Sequence, residues 1–335
     1  MAKSYKAEEL CPNGLKMALI PPLWVNAITY SSLITILCIG FTLTYLTAKI
    51  PNFAHGTYAG VGIYVVWTLS KIYGISPYLG FPIAFIIGGL VSLLLYITVI
   101  RVITRLGGGA VVLTISTLAI QIMLTAMLGI YVYTVREIFG TYGFGFMLKE
   151  FDFAIGTYPG IFPMSFLIVS VVVVLLHLLL TRTKTGIAMR ATAEDPELAS
   201  VLGINIDMIQ KLSWFLTGGL ACLAGAMYPL WFQSLPGSGA AMMTSIMAGS
   251  LLGGFNNIYG AIIGGFGVGF SEIVLTARLQ QVFGPWVGRW RPMVPMIILV
   301  AVLLFEPRGL SGLYERLKAC PIGERVLALL GRKEE

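Results

Sequence analysis

Residues 168–180 read IVSVVVVLLHLLL, one Ser and one His in an otherwise aliphatic run. A lipid-facing β-strand would alternate apolar with polar side chains, and this stretch does not alternate. Extended to 161–181, it reaches the roughly 17–25 apolar residues that a helix needs to cross hydrocarbon. Runs of the same kind recur on both sides. Over 335 residues, 57% are hydrophobic and 11% charged, and the mean hydropathy is +0.87, outside the range of soluble domains. The fold class is therefore all-α: a polytopic membrane protein of about 8–9 transmembrane helices, broken or re-entrant segments included. Spans are expected near 23–46, 55–73, 79–100, 110–132, 161–181, 211–233, 241–255, 258–280 and 292–306. The seventh is short and glycine-rich, the mark of a re-entrant or broken helix.

These boundaries divide the chain into an N-terminal tail (1–22), a membrane domain (23–306) and a C-terminal tail (307–335). The N-terminal residues mix acidic with basic side chains and show no cleavage site, so no removable signal peptide is expected. Within 311–335, Leu313, Leu317, Val326, Leu327 and Leu330 alternate with charges, as in a helix lying along a membrane surface. Cys11, Cys38, Cys222 and Cys320 have no paired spacing and there are two histidines, a poor inventory for a metal enzyme. The net charge of +7 does not point to nucleic acid, because the basic residues cluster at span ends, where they set topology.

Placing the loop 182–210 in the cytoplasm and alternating outward puts Lys49, Arg101, Arg105, Arg182, Lys184, Arg190, Lys211, Arg308, Arg316, Lys318, Arg325, Arg332 and Lys333 on that side. The remaining Lys and Arg fall outside, which implies an external N-terminus and a cytoplasmic C-terminus in a cell (inner or plasma) membrane. The connection 133–160 is then external, either a folded lid or docking surface or an ordered connector.

Residues 186–205, GIAMRATAEDPELASVLGIN, concentrate Arg190, Glu194, Asp195 and Glu197 between two spans. Asp195 suits a helix N-cap, Pro196 the first helical position, and Glu197 the positive end of the helix dipole. Leu198, Val201 and Leu202 share one face, and Gly203 suits a left-handed stop. A second helical piece, GIAMRATA, precedes this helix. So short a helix needs something to pack on. The lipid surface, the protein's own helix ends and another protein's groove are the three options, and the dense charges favour the last.

This loop resembles the cytoplasmic coupling loop of ABC transporter permeases of the branched-chain amino acid importer family. That family's pattern, Arg-Ala-x-Ala-Glu-Asp followed by Ala-x-x-x-Gly-Ile, falls on Arg190, Ala191, Ala193, Glu194, Asp195, Ala199, Gly203 and Ile204. PNFAHGTYAGVG (51–62) is similar to its Asn-Phe-Ala-His-Gly segment, and GSLLGGFNNIYGAIIGGFGVG (249–269) to its glycine-rich double motif. The resemblance covers roughly 23–310. Phe255-Asn256-Asn257-Ile258 departs from the small residues and Ser expected after the paired glycines, which touches the substrate rather than the machine.

The resemblance implies an importer subunit that binds no cofactor itself. Its partners are two ATPase subunits carrying ATP-Mg, a second permease, homologous or identical, and an external substrate-binding protein. Consistent with that division of labour, the sequence contains no GxxxxGK[ST] phosphate loop. The expected function is ATP-driven uptake of branched-chain or related hydrophobic amino acids. Urea, amides or other small organic solutes are the alternative within the family, and a stand-alone secondary transporter or channel is the alternative outside it. Two histidines and no catalytic constellation leave no enzyme site.

Other positions have two readings each. Pro51 breaks a helix, so Asn52, Phe53, His55 and Gly56 either line a pathway or satisfy the backbone freed at the break. Gly249, Gly253, Gly254, Gly260, Gly264 and Gly265 favour close helix packing over substrate contact. Glu272, an acidic residue inside a span, is expected to pair with Arg278 rather than meet a substrate ammonium or snorkel. His177 suits a hydrogen-bonded packing role, and Gln121 is a candidate pathway residue.

Overall fold

The computed structural model describes residues 21–255, 257–306 and 309, and the tails expected over 1–22 and 307–335 lie almost wholly outside them. Each of the nine apolar stretches forms a helix. α1 (Pro22–Ala48), α2 (His55–Lys71) and α3 (Pro77–Leu95) come first. α3 continues through a π-turn over Tyr96–Ile100 into α4 (Arg101–Arg105). α5 (Ala110–Phe139) and α6 (Ile161–Arg182) lead to two short helices, α7 (Lys184–Glu194) and α8 (Pro196–Val201). α9 (Ile206–Met227), α10 (Ser238–Ala241), α11 (Met243–Gly253), α12 (Ile258–Phe283) and α13 (Met293–Phe305) complete the order. Among the described residues, five are long and apolar enough to cross a membrane: α1, α3 with α4, α5, α6 and α12. With 17, 11 and 13 residues, α2, α11 and α13 are shorter.

α1 is the centre of the bundle. Its most apolar window is 94% buried, against 22% for α6, so α1 meets protein on all sides and α6 stands at the periphery. Its many Ser and Thr side chains are accommodated by bonding back to its own turns: Ser31 Oγ donates to the Ala27 carbonyl at 2.6 Å and Thr35 Oγ1 to Ser31 at 2.7 Å. Others tie it to α9, with Thr44 Oγ1 donating to Thr217 Oγ1 at 2.6 Å and Thr47 Oγ1 to Ser213 Oγ at 2.8 Å. These pairs place the start of α9 beside the end of α1.

The α2, α3 and α9 helices meet backbone to backbone. A side chain at Gly62 would collide with the Cys222 carbonyl, one at Gly225 with the Ala59 carbonyl, and one at Gly218 with Gly88. Such approach multiplies dispersion contacts where lipid supplies no hydrophobic drive between helices. The same device joins α11 to α12, where Gly253 faces Gly260 and Gly264 faces the Gly249 carbonyl, while Gly265 lies against Cys38 and Thr35 of α1.

At the end of the bundle opposite α7 and α8, the 140–160 connection is an ordered structure. It carries a two-residue hairpin, β1 (Ala154–Ile155) antiparallel to β2 (Tyr158–Pro159). The Asp152 carboxylate accepts from the Ile161 amide at 3.2 Å and from the Tyr78 hydroxyl, so it ties α3 to the start of α6. Lys149 lies 4.7 Å from the Trp231 ring centroid, and Lys71 pairs with Glu150.

Candidate functional site

The loop between α6 and α9 is built as an elbow. Thr183 ends α6 and caps α7, its hydroxyl accepting from the Gly186 amide at 3.0 Å. Gly186 sits so close to the Leu179 carbonyl that no side chain would fit there. α7 turns Met189 and Thr192 inward. Met189 joins Leu43, Leu180 and Ile209 in a small core separate from the main one, binding α7 to α1, α6 and α9.

Asp195 caps α8, with Oδ1 accepting from the Glu197 amide at 2.9 Å and the Leu198 amide at 3.0 Å, and Pro196 stands at the first helical position. Gly203 closes the helix at φ 82°, and the Ile204 amide donates back to the Ala199 carbonyl. The inward residue of α8 is Ala199. Leu198, Val201 and Leu202 point away from the bundle, 57%, 83% and 71% exposed. The protein's own helix ends therefore do not cover this face among the described residues. Arg190, Glu194 and Glu197 are exposed too and enter no ion pair among those residues. The elbow is anchored at its far side by Asp207, which pairs with Arg101 and Lys211, both at 2.7 Å. Partial burial acts to raise the Asp207 pKa, but the Lys211 hydrogen bond and the charges of Arg101, Lys211 and Arg105 outweigh it and hold the carboxyl below its ordinary range.

Two interrupted helices meet inside the bundle. α1 ends in Lys49, whose φ of 55° makes it the one non-glycine residue in the left-handed region among those described. The chain then turns back, and α2 begins at the level of Leu37 instead of at the end of α1. His55 Nε2 lies 2.9 Å from the Leu37 carbonyl, and Asn52 Oδ1 accepts from the Ala54 amide at 3.2 Å. The Phe53 amide donates to Thr117 Oγ1 of α5 at 3.2 Å. Gly56 lies against the Gly239 carbonyl of α10. Asn52 and His55 thus serve the backbone at the break and are buried, while Asn52 Nδ2 and His55 Nδ1 have no hydrogen-bond partner among the described residues. Gln121 of α5 is half-buried, and its Oε1 likewise has none among those residues.

Glu272 corrects an expectation. It is 3% exposed and accepts from the Tyr30 hydroxyl at 3.1 Å, Ser245 Oγ at 2.7 Å and Arg291 Nε at 2.7 Å. Arg278 is not its partner and reaches Gln281 Oε1 at 3.4 Å. At about 100° per residue, a position six further along the helix faces away from Glu272, whereas Arg291 returns to it from the link between α12 and α13. The carboxylate therefore joins α1, α11, α12 and that link. Gly254 departs from the other glycines of its motif: at φ 92° it terminates α11 at a turn. His177 Nδ1 lies 2.7 Å from the Tyr259 hydroxyl, linking α6 to α12.

Residues 23–303 match the family model described as branched-chain amino acid transport system / permease component. The chain is 39% identical over 294 residues to the probable branched-chain amino acid transport permease protein LivH of Methanocaldococcus jannaschii, covering 88% of this chain and 93% of that one. It is 28% identical to the high-affinity branched-chain amino acid transport system permease protein BraD of Pseudomonas aeruginosa, covering 86% and 94%. Among solved structures, PsaBC from Streptococcus pneumoniae in complex with Fab aligns with a TM-score of 0.49 at 14% identity, over 86% of this chain and 93% of that one.

Proposed function

The chain belongs to the branched-chain amino acid transport permease family, and from that premise we propose that it is the membrane subunit of an ATP-driven importer for branched-chain or related hydrophobic amino acids, moved through residues 186–205 by separate ATPase subunits. A second permease and an external substrate-binding protein complete the assembly, with the elbow and the C-terminus in the cytoplasm. The observation that carries this reading is the outward face of α8. Leu198, Val201 and Leu202 stand exposed on a helix whose other side is anchored through Ala199 and whose caps are complete. An apolar triplet rimmed by Glu194 and Glu197 suits a groove on another protein.

The elbow is suited to transmit force. Gly186 and Met189 lock α7 to α6, and Asn205 caps α9 directly after the α8 turn, its Oδ1 accepting from the Met208 amide. Displacement of α8 then passes to α6 and α9, and through Ser213 and Thr217 to α1. α1 leads into the break at 49–54, just beyond which Gly56 of α2 meets Gly239 of α10. In this mechanism, closure of the ATPases moves the elbow and shifts the packed glycine contacts. That shift changes which end of the pathway is open.

The test is uptake and ATP hydrolysis in proteoliposomes holding the whole assembly. Leu198→Asp should keep ATP hydrolysis within about twofold and lower uptake at least tenfold, since one buried charge in an apolar contact costs several kcal/mol. Coupling equal to the unaltered protein would refute the assignment of the elbow.

A further inference from the structure

Beside the elbow lies a cavity of about 470 Å³, within the range of about 300–1,000 Å³ typical of small-molecule sites. Four elements enclose it: the end of α1, the end of α6, α7, and the start of α12. Its lining divides by chemistry. Leu43, Leu46, Leu180, Met189 and Ile258 supply an apolar wall. Lys49, Arg190 and Glu194 supply two cations and one anion, and none of them enters an ion pair among the described residues. Arg190 and Glu194 stand one turn apart on α7 in the less favourable order for pairing, Arg before Glu, and do not meet. Lys49 is held in the left-handed region at this spot, a conformation that costs a non-glycine residue energy and recurs at ligand sites.

We propose that this cavity binds a free aliphatic α-amino acid from the elbow side of the membrane. Its carboxylate is taken by Lys49 and Arg190, its ammonium by Glu194 and its side chain by the leucine wall. Because α7 forms one wall and α1 and α12 the other, the bound amino acid bridges them and holds the elbow still. Accumulated product thereby slows further import. The identity of the solute rests on the function proposed above; the zwitterionic, aliphatic character of the site does not.

The experiment uses the assembled transporter in nanodiscs without its external binding protein, with tritiated leucine as the probe. Lys49→Asn and Lys49→Gly both tolerate the left-handed backbone and remove the ammonium together with its stem. Each should weaken leucine binding at least tenfold. In the unaltered assembly, 4-methylpentanoate, which lacks the ammonium, and 3-methylbutylamine, which lacks the carboxylate, should compete at least tenfold more weakly than leucine. Leucine binding indifferent to both variants, or equal competition by either analogue, overturns the proposal. Discs with and without phosphatidylethanolamine separate a free amino acid from a lipid headgroup of the same charge pattern. Equal leucine binding in both supports the proposal, and displacement of leucine by that lipid overturns it.

In proteoliposomes, leucine trapped inside should slow leucine uptake at least fivefold, and the Lys49 variants should relieve that inhibition. Uptake unaffected by internal leucine overturns the regulatory role and leaves the importer reading standing. Leucine that binds with the stated specificity to a transporter that imports some other solute supports the cavity and breaks the reading of the substrate.

Discussion

Removing Arg291 should destabilise the protein by about 2–3 kcal/mol. Taking one partner from a fully buried ion pair costs about 3–5 kcal/mol, because the other charge is left uncompensated. Here the Glu272 side chain is 4% exposed and that of Arg291 28%, so water can reach the site from the arginine side, and the Tyr30 and Ser245 hydroxyls still donate to the carboxylate. Both effects pull the figure to the bottom of that range or just below it. Glu272→Gln should cost less, about 1–2 kcal/mol, since the amide oxygen still accepts a hydroxyl and the charge left unpaired, that of Arg291, is the one water can reach. The double variant Glu272→Gln/Arg291→Met should fall short of the sum of the singles by about 1–2 kcal/mol. Arg278→Met should stay within about 0.5 kcal/mol of the unaltered chain. Denaturant titration of the purified protein in mixed micelles, followed by tryptophan fluorescence, gives all four values. Arg291→Met without effect, or Arg278→Met equally costly, would refute the argument.

Other outcomes follow from particular contacts. Gly225→Leu should abolish folded protein in fluorescence-detected size exclusion, because its side chain would occupy the Ala59 carbonyl, whereas Gly129→Ala, with open space around it, should be neutral or stabilising by up to about 1 kcal/mol. Asp195→Ala removes the carboxylate oxygen that accepts from two amides at the start of α8, loosens that helix by about 1 kcal/mol and should lower coupled uptake, which Asp195→Ser restores. The Asp207 carboxyl has a folded-state pKa below its ordinary value of 3.8, so its contribution is fully present above that value and is lost as the pH falls through the lowered one. The stability difference between the unaltered chain and Asp207→Asn should therefore be flat from pH 5 to 8 and shrink below about pH 4.

Local signals carried much of this structure. Each long apolar run became a helix, and the Asp195, Pro196 and Gly203 signals stand where the α8 caps are. Their meaning depends on neighbours in the chain, which a sequence displays directly. Three-dimensional adjacency was less legible. That α1 occupies the centre is not legible in its polar content, because Ser and Thr satisfy themselves within a helix and so reveal nothing of what surrounds them. The partner of Glu272 lies across a turn, in a link that reads as an ordinary interfacial segment rich in Trp and Arg. The glycines at 62, 88, 218 and 225 lack the repeated four-residue spacing that drew attention to 249–269, yet they set approaches as close as those of that motif. The cavity beside the elbow draws on four separate elements. Of its charged residues, Lys49 was read only as a marker of topology.

The central claim is that an exposed apolar face on α8, fixed to the bundle by Gly186, Met189 and Ala199, is where ATP hydrolysis enters this protein. The most direct measurement is the number of solute molecules imported per ATP hydrolysed in proteoliposomes of the whole assembly, for the unaltered chain and for Leu198→Asp/Val201→Asp. The account predicts that the ratio falls at least tenfold while the variant keeps its folded, monodisperse profile. An unchanged ratio would contradict it.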